Sequence, residues 1–286
     1  LFAFICKEQK LVNVQNRIFF HVGLGKTGTT FLQERVFHKF VGINYIDTHK
    51  YYKVDRMIEV IENDRNILVS REFDRQLRRE CTRFAGKYES VTPVIVFRKH
   101  GSYIASQYRR FVKNGYSKPF SSFFNLDDSG FFSLDDLSYS SQIDFLEQTF
   151  RNSPIVYVYD DLMENSEDYI GQFARDVGAT VDVGNIDFRK KHTSYNEKQL
   201  KAMYAVGQHV NLQRVTHPVR WINILSRFAR YIPKYGILYL ASLIPDRWVP
   251  DTPLIDPAEL RKIDRFFAKD WELVLAHAKR AGSKNV

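Results

Sequence analysis

The run Ile18-Phe19-Phe20-His21-Val22-Gly23-Leu24-Gly25-Lys26-Thr27-Gly28-Thr29-Thr30-Phe31-Leu32 constrains this chain more than any other stretch. The apolar residues Ile18 to Val22 read as a buried strand. A tight glycine turn follows, and Leu32, Val36 and Phe40 then fall at helical spacing, which predicts a helix over Thr29 to Phe40. A strand that enters a helix through such a turn aims unpaired backbone N–H groups and the positive end of the helix dipole at one spot. A phosphate-like anion fits there. Lys26 adds a point charge, and Thr27, Thr29 and Thr30 add hydroxyl donors. The plain alternative is a glycine-rich turn that binds nothing.

The rest of the chain alternates strands and helices, which predicts an α/β fold with a mostly parallel sheet covered by helices on both faces. Further strands are expected at Asn66–Ser70, at Val94–Phe97 after Pro93, and at Pro154–Tyr159. Helices are expected at Asp55–Glu62, Phe73–Phe84, Ser102–Lys113, Ser140–Phe150, Glu167–Val177, Asn196–Val210 and Pro257–Lys279. Residues 115–139, rich in Ser, Asp and Phe, read as an irregular insertion of the kind that forms lids or substrate walls. About 211–256 is aromatic and basic. Its apolar run Tyr235–Ala241 fits either peripheral membrane contact or ordinary packing. No internal repeat or second domain stands out, so 1–286 reads as one domain.

Charge narrows the partners. Lys plus Arg number 42 against 33 acidic residues, a net +9, which favours anionic ligands or surfaces. Two cysteines, Cys6 and Cys81, cannot build a disulfide framework and fit a reducing compartment. The sequence has no Asn-x-Ser/Thr glycosylation signal and no apolar stretch of membrane-spanning length. Residues Leu1 to Cys6 are apolar but too few to anchor, and a trimmed upstream segment stays open. A cytoplasmic location is expected.

The order of residues in the turn separates two chemistries. A nucleotide triphosphatase loop needs Lys directly after its last Gly, then Ser or Thr to hold magnesium. Here Lys26 comes two residues before Gly28, and Thr29 stands where that lysine would be. The turn suits a phosphate, but the metal-holding logic is missing, and no His/Cys cluster has metal-ligand spacing. A second basic strand end follows at Val96-Phe97-Arg98. Arg98 stands at the carboxyl end of a strand, where open α/β sheets bind ligands. Ser106 lies on the next helix. A planar guanidinium with a nearby hydroxyl suits a second phosphate, although a surface ion pair would also account for Arg98.

The two-part pattern resembles the sulfotransferases that use 3′-phosphoadenosine 5′-phosphosulfate (PAPS). The resemblance runs over about residues 17–210 in motif order. Tyr159-Asp160-Asp161-Leu162 is similar to the family's late Tyr-Glu-Asp-Leu strand end, with Asp160 in place of Glu. It implies that Gly25, Lys26, Thr27, Gly28, Thr29 and Thr30 hold the 5′-phosphosulfate. Arg98 and Ser106 would then hold the 3′-phosphate, joined by Arg189 and Lys190 in a basic segment that lacks the family's following glycine. It implies no metal, with Lys26 neutralising charge on the leaving phosphate. The family's general base is His or Glu. Val69-Ser70-Arg71-Glu72-Phe73 is similar to the Ser-x-Glu segment of bacterial carbohydrate-type members and nominates Glu72, with His100 second. His21, inside the first strand, reads as a packed histidine. The implied acceptor is a hydroxyl of a carbohydrate or glycolipid, and no nucleic acid is expected as partner. Two rival readings remain: a P-loop nucleotide kinase or triphosphatase, and a non-enzymatic module that binds polyanions or membranes.

Overall fold

The structure is a computed structural model and describes residues 17–61, 65–189, 195–210 and 234–282. Cys6, Lys190 and the stretch 211–233 of the aromatic segment lie outside the described residues. The chain divides into two compact units. The first holds the chain up to Lys99, Ser138–Phe188 and Phe267 onward, and the second holds His100–Leu137 and Arg189–Phe266.

The first unit is built on a five-stranded sheet in the order β2-β3-β1-β4-β5. Its strands are β1 Ile18–His21, β2 Ile43–Ile46, β3 Asn66–Ser70, β4 Val91–Phe97 and β5 Ile155–Val158, and every pairing is parallel. The expected α/β class is therefore present, with one strand more than the sequence predicts. β2 is a four-residue edge strand whose Asn44 and Tyr45 interrupt the apolar run, so its pattern is too short to stand out.

β1 runs through the middle, and all four of its residues are buried. Successive side chains point to opposite faces. Phe19 joins a core with Leu32, Val36, Phe37 and Phe173. Phe20 faces the other way, stacked on Phe84 at 4.1 Å with Phe73 at its edge. Burying each such ring contributes about 1.5–3 kcal/mol.

β4 starts three residues earlier than expected and takes Pro93 into its interior. Val22 N donates to Val94 O, so alternate β4 residues turn toward β1. β5 begins to pair only at Val94, and Asn152 Nδ2 caps Val91 O on that side. Pro93 sits where no ladder bond is required of it.

The helix after the glycine turn is continuous over 29–39 (α1). It starts as α over Thr29–Phe31, loosens to a π turn at Leu32–Val36 and tightens to 3-10 at Phe37–Lys39. Further helices of this unit are α2 Val54–Val60 and α3 Leu77–Ala85. α3 begins four residues later than the spacing predicts. The segment ahead of it is tied to β1 and its turn: Arg71 N donates to His21 O and Phe73 N to Gly23 O.

The second unit opens with α4 His100–Lys113 and α5 Phe120–Phe123. The expected insertion around them is otherwise irregular apart from a 3-10 turn at Asp135–Leu137. Tyr116, Phe123, Phe131 and Phe132 of the insertion and Phe111 of α4 pack ring against ring. Returning to the first unit, α6 Tyr139–Phe150 packs on β4, and α7 Tyr159–Glu164 follows β5 without a break, leading to α8 Ser166–Asp176.

The remaining helices of the second unit are α9 Glu197–His209, which starts on an Asn196–Gln199 capping box, and α10 over 234–241. Leu238 and Ala241 of the apolar run are buried, while Tyr239 and Leu240 are exposed. The long closing helix expected at 257–279 is two helices, α11 Pro257–Phe266 and α12 Ala268–Gly282. They are anchored differently. Asp264 of α11 accepts from Gly101 N, whereas Asp270 of α12 accepts from Tyr139 N and Ser140 N and caps α6.

Candidate active site

A parallel sheet puts the carboxyl ends of all its strands on one edge. Residues 22–28 follow β1, residues 71–76 follow β3, Arg98 follows β4 and Tyr159 follows β5. Because β1 lies between β3 and β4, the glycine turn sits where the strand order reverses, the usual place for a ligand in an open α/β sheet.

The turn has the backbone of an anion cradle. Lys26 has φ 72° and Gly28 φ 80°, so left-handed residues flank Thr27, whose φ is not positive, and successive N–H groups can converge. A left-handed lysine costs about 1–2 kcal/mol, a strain that clusters at functional sites. Close approach also dictates glycine here. A Cβ on Gly28 would lie 2.6 Å from Leu162 Cδ2, and one on Gly23 would lie 2.8 Å from His21 Nε2.

Three sequence-distant segments meet at this turn. Arg98 Nη1 donates to Lys26 O at 3.1 Å, and its guanidinium lies 4.6 Å from the centre of the Tyr159 ring. Tyr159 and Leu162 back Gly28. The side chain of Lys26 is exposed, as is Thr30, whereas Thr27 and Thr29 are buried. The Thr27 hydroxyl donates to Leu24 O at 2.6 Å and so shapes the turn from within. The Thr29 hydroxyl donates to Glu72 Oε1, which brings the half-buried Glu72 carboxylate onto the first residue of α1. The backbone N–H groups of Thr27 and Thr29, more than their hydroxyls, are left as the groups a ligand would read.

Asp74 is a site residue that sequence reasoning missed. Its Oδ1 accepts from Gly25 N at 3.0 Å, so a carboxylate sits on one amide of the cradle. The available signal was its position two residues beyond Glu72 at the same strand end. Nothing in the sequence told which way it would turn.

His21 lies under the turn. Its Nδ1 is 2.8 Å from Ser70 Oγ, a neighbour set by the His21–Ser70 strand register, and Gln33 Nε2 donates to the same oxygen. Its Nε2 is buried without a hydrogen-bond partner, at a cost of about 1–3 kcal/mol. Burial lowers its pKa to about 3 and keeps the ring neutral. It is packed and hydrogen-bonded, as its place in the strand implied.

The other predicted site residues that the structure describes belong to the second unit. His100 is buried in the second unit at the start of α4, with Nε2 3.1 Å from Leu137 O. Ser106 is a half-buried residue of α4 in the same unit. Arg189 is exposed. The second unit also holds a cavity of about 490 Å³ walled by Tyr108, Phe120, Tyr204, Trp248 and Pro250, with Lys198 and Lys201 among its lining. Among the described residues no group of three or more His, Cys, Asp or Glu could hold a metal ion, and no helix is long and apolar enough to cross a membrane.

Several solved structures are similar to this chain. A sulfotransferase from Alicyclobacillus acidocaldarius is 14% identical with a TM-score of 0.47, covering 67% of this chain and 92% of that one. A mouse sulfotransferase complexed with PAP is 13% identical, TM-score 0.41, covering 62% and 64%. Retinol dehydratase in complex with androsterone and inactive cofactor PAP is 10% identical, TM-score 0.37, covering 97% and 83%. No family model matches the chain, and no curated protein matches it.

Proposed function

We propose that this protein is a sulfotransferase that moves a sulfuryl group from PAPS to an acceptor hydroxyl. One observation carries the reading: the glycine turn, Arg98 and Tyr159, singled out separately in the sequence, converge on one cradle at the sheet's carboxyl edge. A nucleotide phosphosulfate supplies a sulfuryl group on a good leaving group, so the protein's task is positioning and charge neutralisation.

The amides of residues 26–30 bind the 5′ end, backed by the α1 dipole, with Gly25 in the turn held by Asp74. Lys26 neutralises the charge that grows on the oxygen bridging phosphate and sulfur as the S–O bond breaks. Glu72, held beside the cradle by Thr29, accepts the acceptor hydroxyl's proton as the new O–S bond forms. Arg98 braces the turn through Lys26 O and, with Ser106, Arg189 and Lys190, is assigned to the 3′-phosphate. The acceptor we assign is a carbohydrate or glycolipid hydroxyl.

Isothermal titration without magnesium tests this reading. The desulfated product, 3′-phosphoadenosine 5′-phosphate (PAP), is expected to bind with a Kd of about 1–10 μM, near −8 kcal/mol. Magnesium-dependent ATP binding with no PAP binding would favour a kinase or triphosphatase instead. Salt-sensitive polyanion binding alone would favour a non-enzymatic module.

A further inference from the structure

The cradle already carries an anion of the protein's own. Asp74 Oδ1 accepts from Gly25 N at 3.0 Å, and Glu72 Oε1 accepts from the Thr29 hydroxyl. Neither carboxylate reached its place by chance rotation of a loose loop. Arg71 N donates to His21 O and Phe73 N to Gly23 O, so the backbone of 71–74 is bonded alongside the end of β1 and the turn. Phe73 is buried between these residues. Two acidic groups therefore face a site whose amides, Lys26 and helix dipole attract negative charge.

We propose that Asp74 is a specificity-determining residue of this loop. Its carboxylate occupies the Gly25 amide as a built-in anion and penalises ligands in proportion to their negative charge, so that a phosphosulfate terminus is preferred over a polyphosphate. This rests on the reading of the turn as an anion site. The physical ground is Coulomb repulsion. A polyphosphate concentrates more charge at its end than a phosphosulfate, and each added charge near a fixed carboxylate weakens binding further. The lysine that would follow the last glycine is displaced to Lys26, with Thr29 in its place, which removes one usual means of neutralising a polyphosphate. A loop with these amides but no Asp74 would accept both.

Binding of inorganic tripolyphosphate and of PAP to the full chain separates the outcomes, with Asp74→Asn, Asp74→Ala and wild type compared in the absence of divalent cations. Asp74→Asn keeps an acceptor oxygen for Gly25 N and removes the charge. It is expected to tighten tripolyphosphate about tenfold and PAP about threefold, with the gain shrinking as salt rises. Asp74→Ala is expected to tighten tripolyphosphate at least as much.

A change below twofold in Asp74→Asn overturns the proposal. So does weaker tripolyphosphate binding in Asp74→Ala, which would make the carboxylate an anchor for the turn. Equal gains for both probes overturn it too. If wild type fails to bind PAP while the tripolyphosphate gain appears, the nucleotide reading falls and the role of Asp74 stands.

Discussion

The two units are built on different principles. In the first, the polar groups of interest stand at the ends of parallel strands, where register and backbone bonds fix them to within a residue. In the second, among the described residues, helices and an aromatic cluster dominate, and the cavity is walled by rings and prolines. A sheet edge is suited to chemistry, because few groups are placed and each is held. Packed rings are suited to recognising apolar surface, because area and not direction carries the energy. The contrast between two buried histidines makes the same point. His21 is locked beneath the turn by strand register, and His100 is spent on a carbonyl of its own unit.

Three substitutions sharpen or break this division. The largest effect is expected from Lys26→Ala, which should lower kcat by about 10³-fold with the thermal melt unchanged. A near-normal rate would remove the chemistry from the strand edge. Glu72→Gln is expected to lower kcat by about 10²-fold with PAP affinity altered little. His100→Gln should lower Tm and leave kcat close to wild type, since its ring is buried on Leu137 O. The reverse pattern would put the base in the second unit and collapse the distinction.

The smallest effect concerns His21 and acid. Burial holds its folded pKa near 3 against an ordinary 6.5, so below 6.5 the unfolded chain binds a proton that the folded one refuses. Stability is present above that pH and declines as pH falls through the window toward 3. Between about pH 7 and about pH 4.5, His21→Gln should show a Tm drop smaller than wild type by about 5 °C. An unchanged drop would mean that the ring is protonated under the turn.

Much of this was legible in the residues. The strand, glycine turn and helix start were readable because a buried β1 needs Ile18 to His21 apolar or packed, and because Gly28 takes a left-handed conformation that few residues tolerate. β3, α4, α6, α8 and α9 were readable within a few residues from their apolar spacing. β2 was not, since four residues with two polar ones make no pattern until β3 pairs with them. Pro93 inside β4 was not, because its tolerance depends on where β5 begins. The break at Phe267 was not, because the apolar stripe runs on while the anchors Asp264 and Asp270 change partners.

By itself, then, the sequence determined the class of fold, the turn and the residue types that stand in it, because local spacing and backbone preference are properties of neighbouring residues. Only the tertiary structure decided that Arg98 braces Lys26, that Thr27 turns inward, that Glu72 is held by Thr29 and that Asp74 sits on the Gly25 amide. Each of those contacts except the one within the turn joins segments more than 40 residues apart, and strand order and register bring them together.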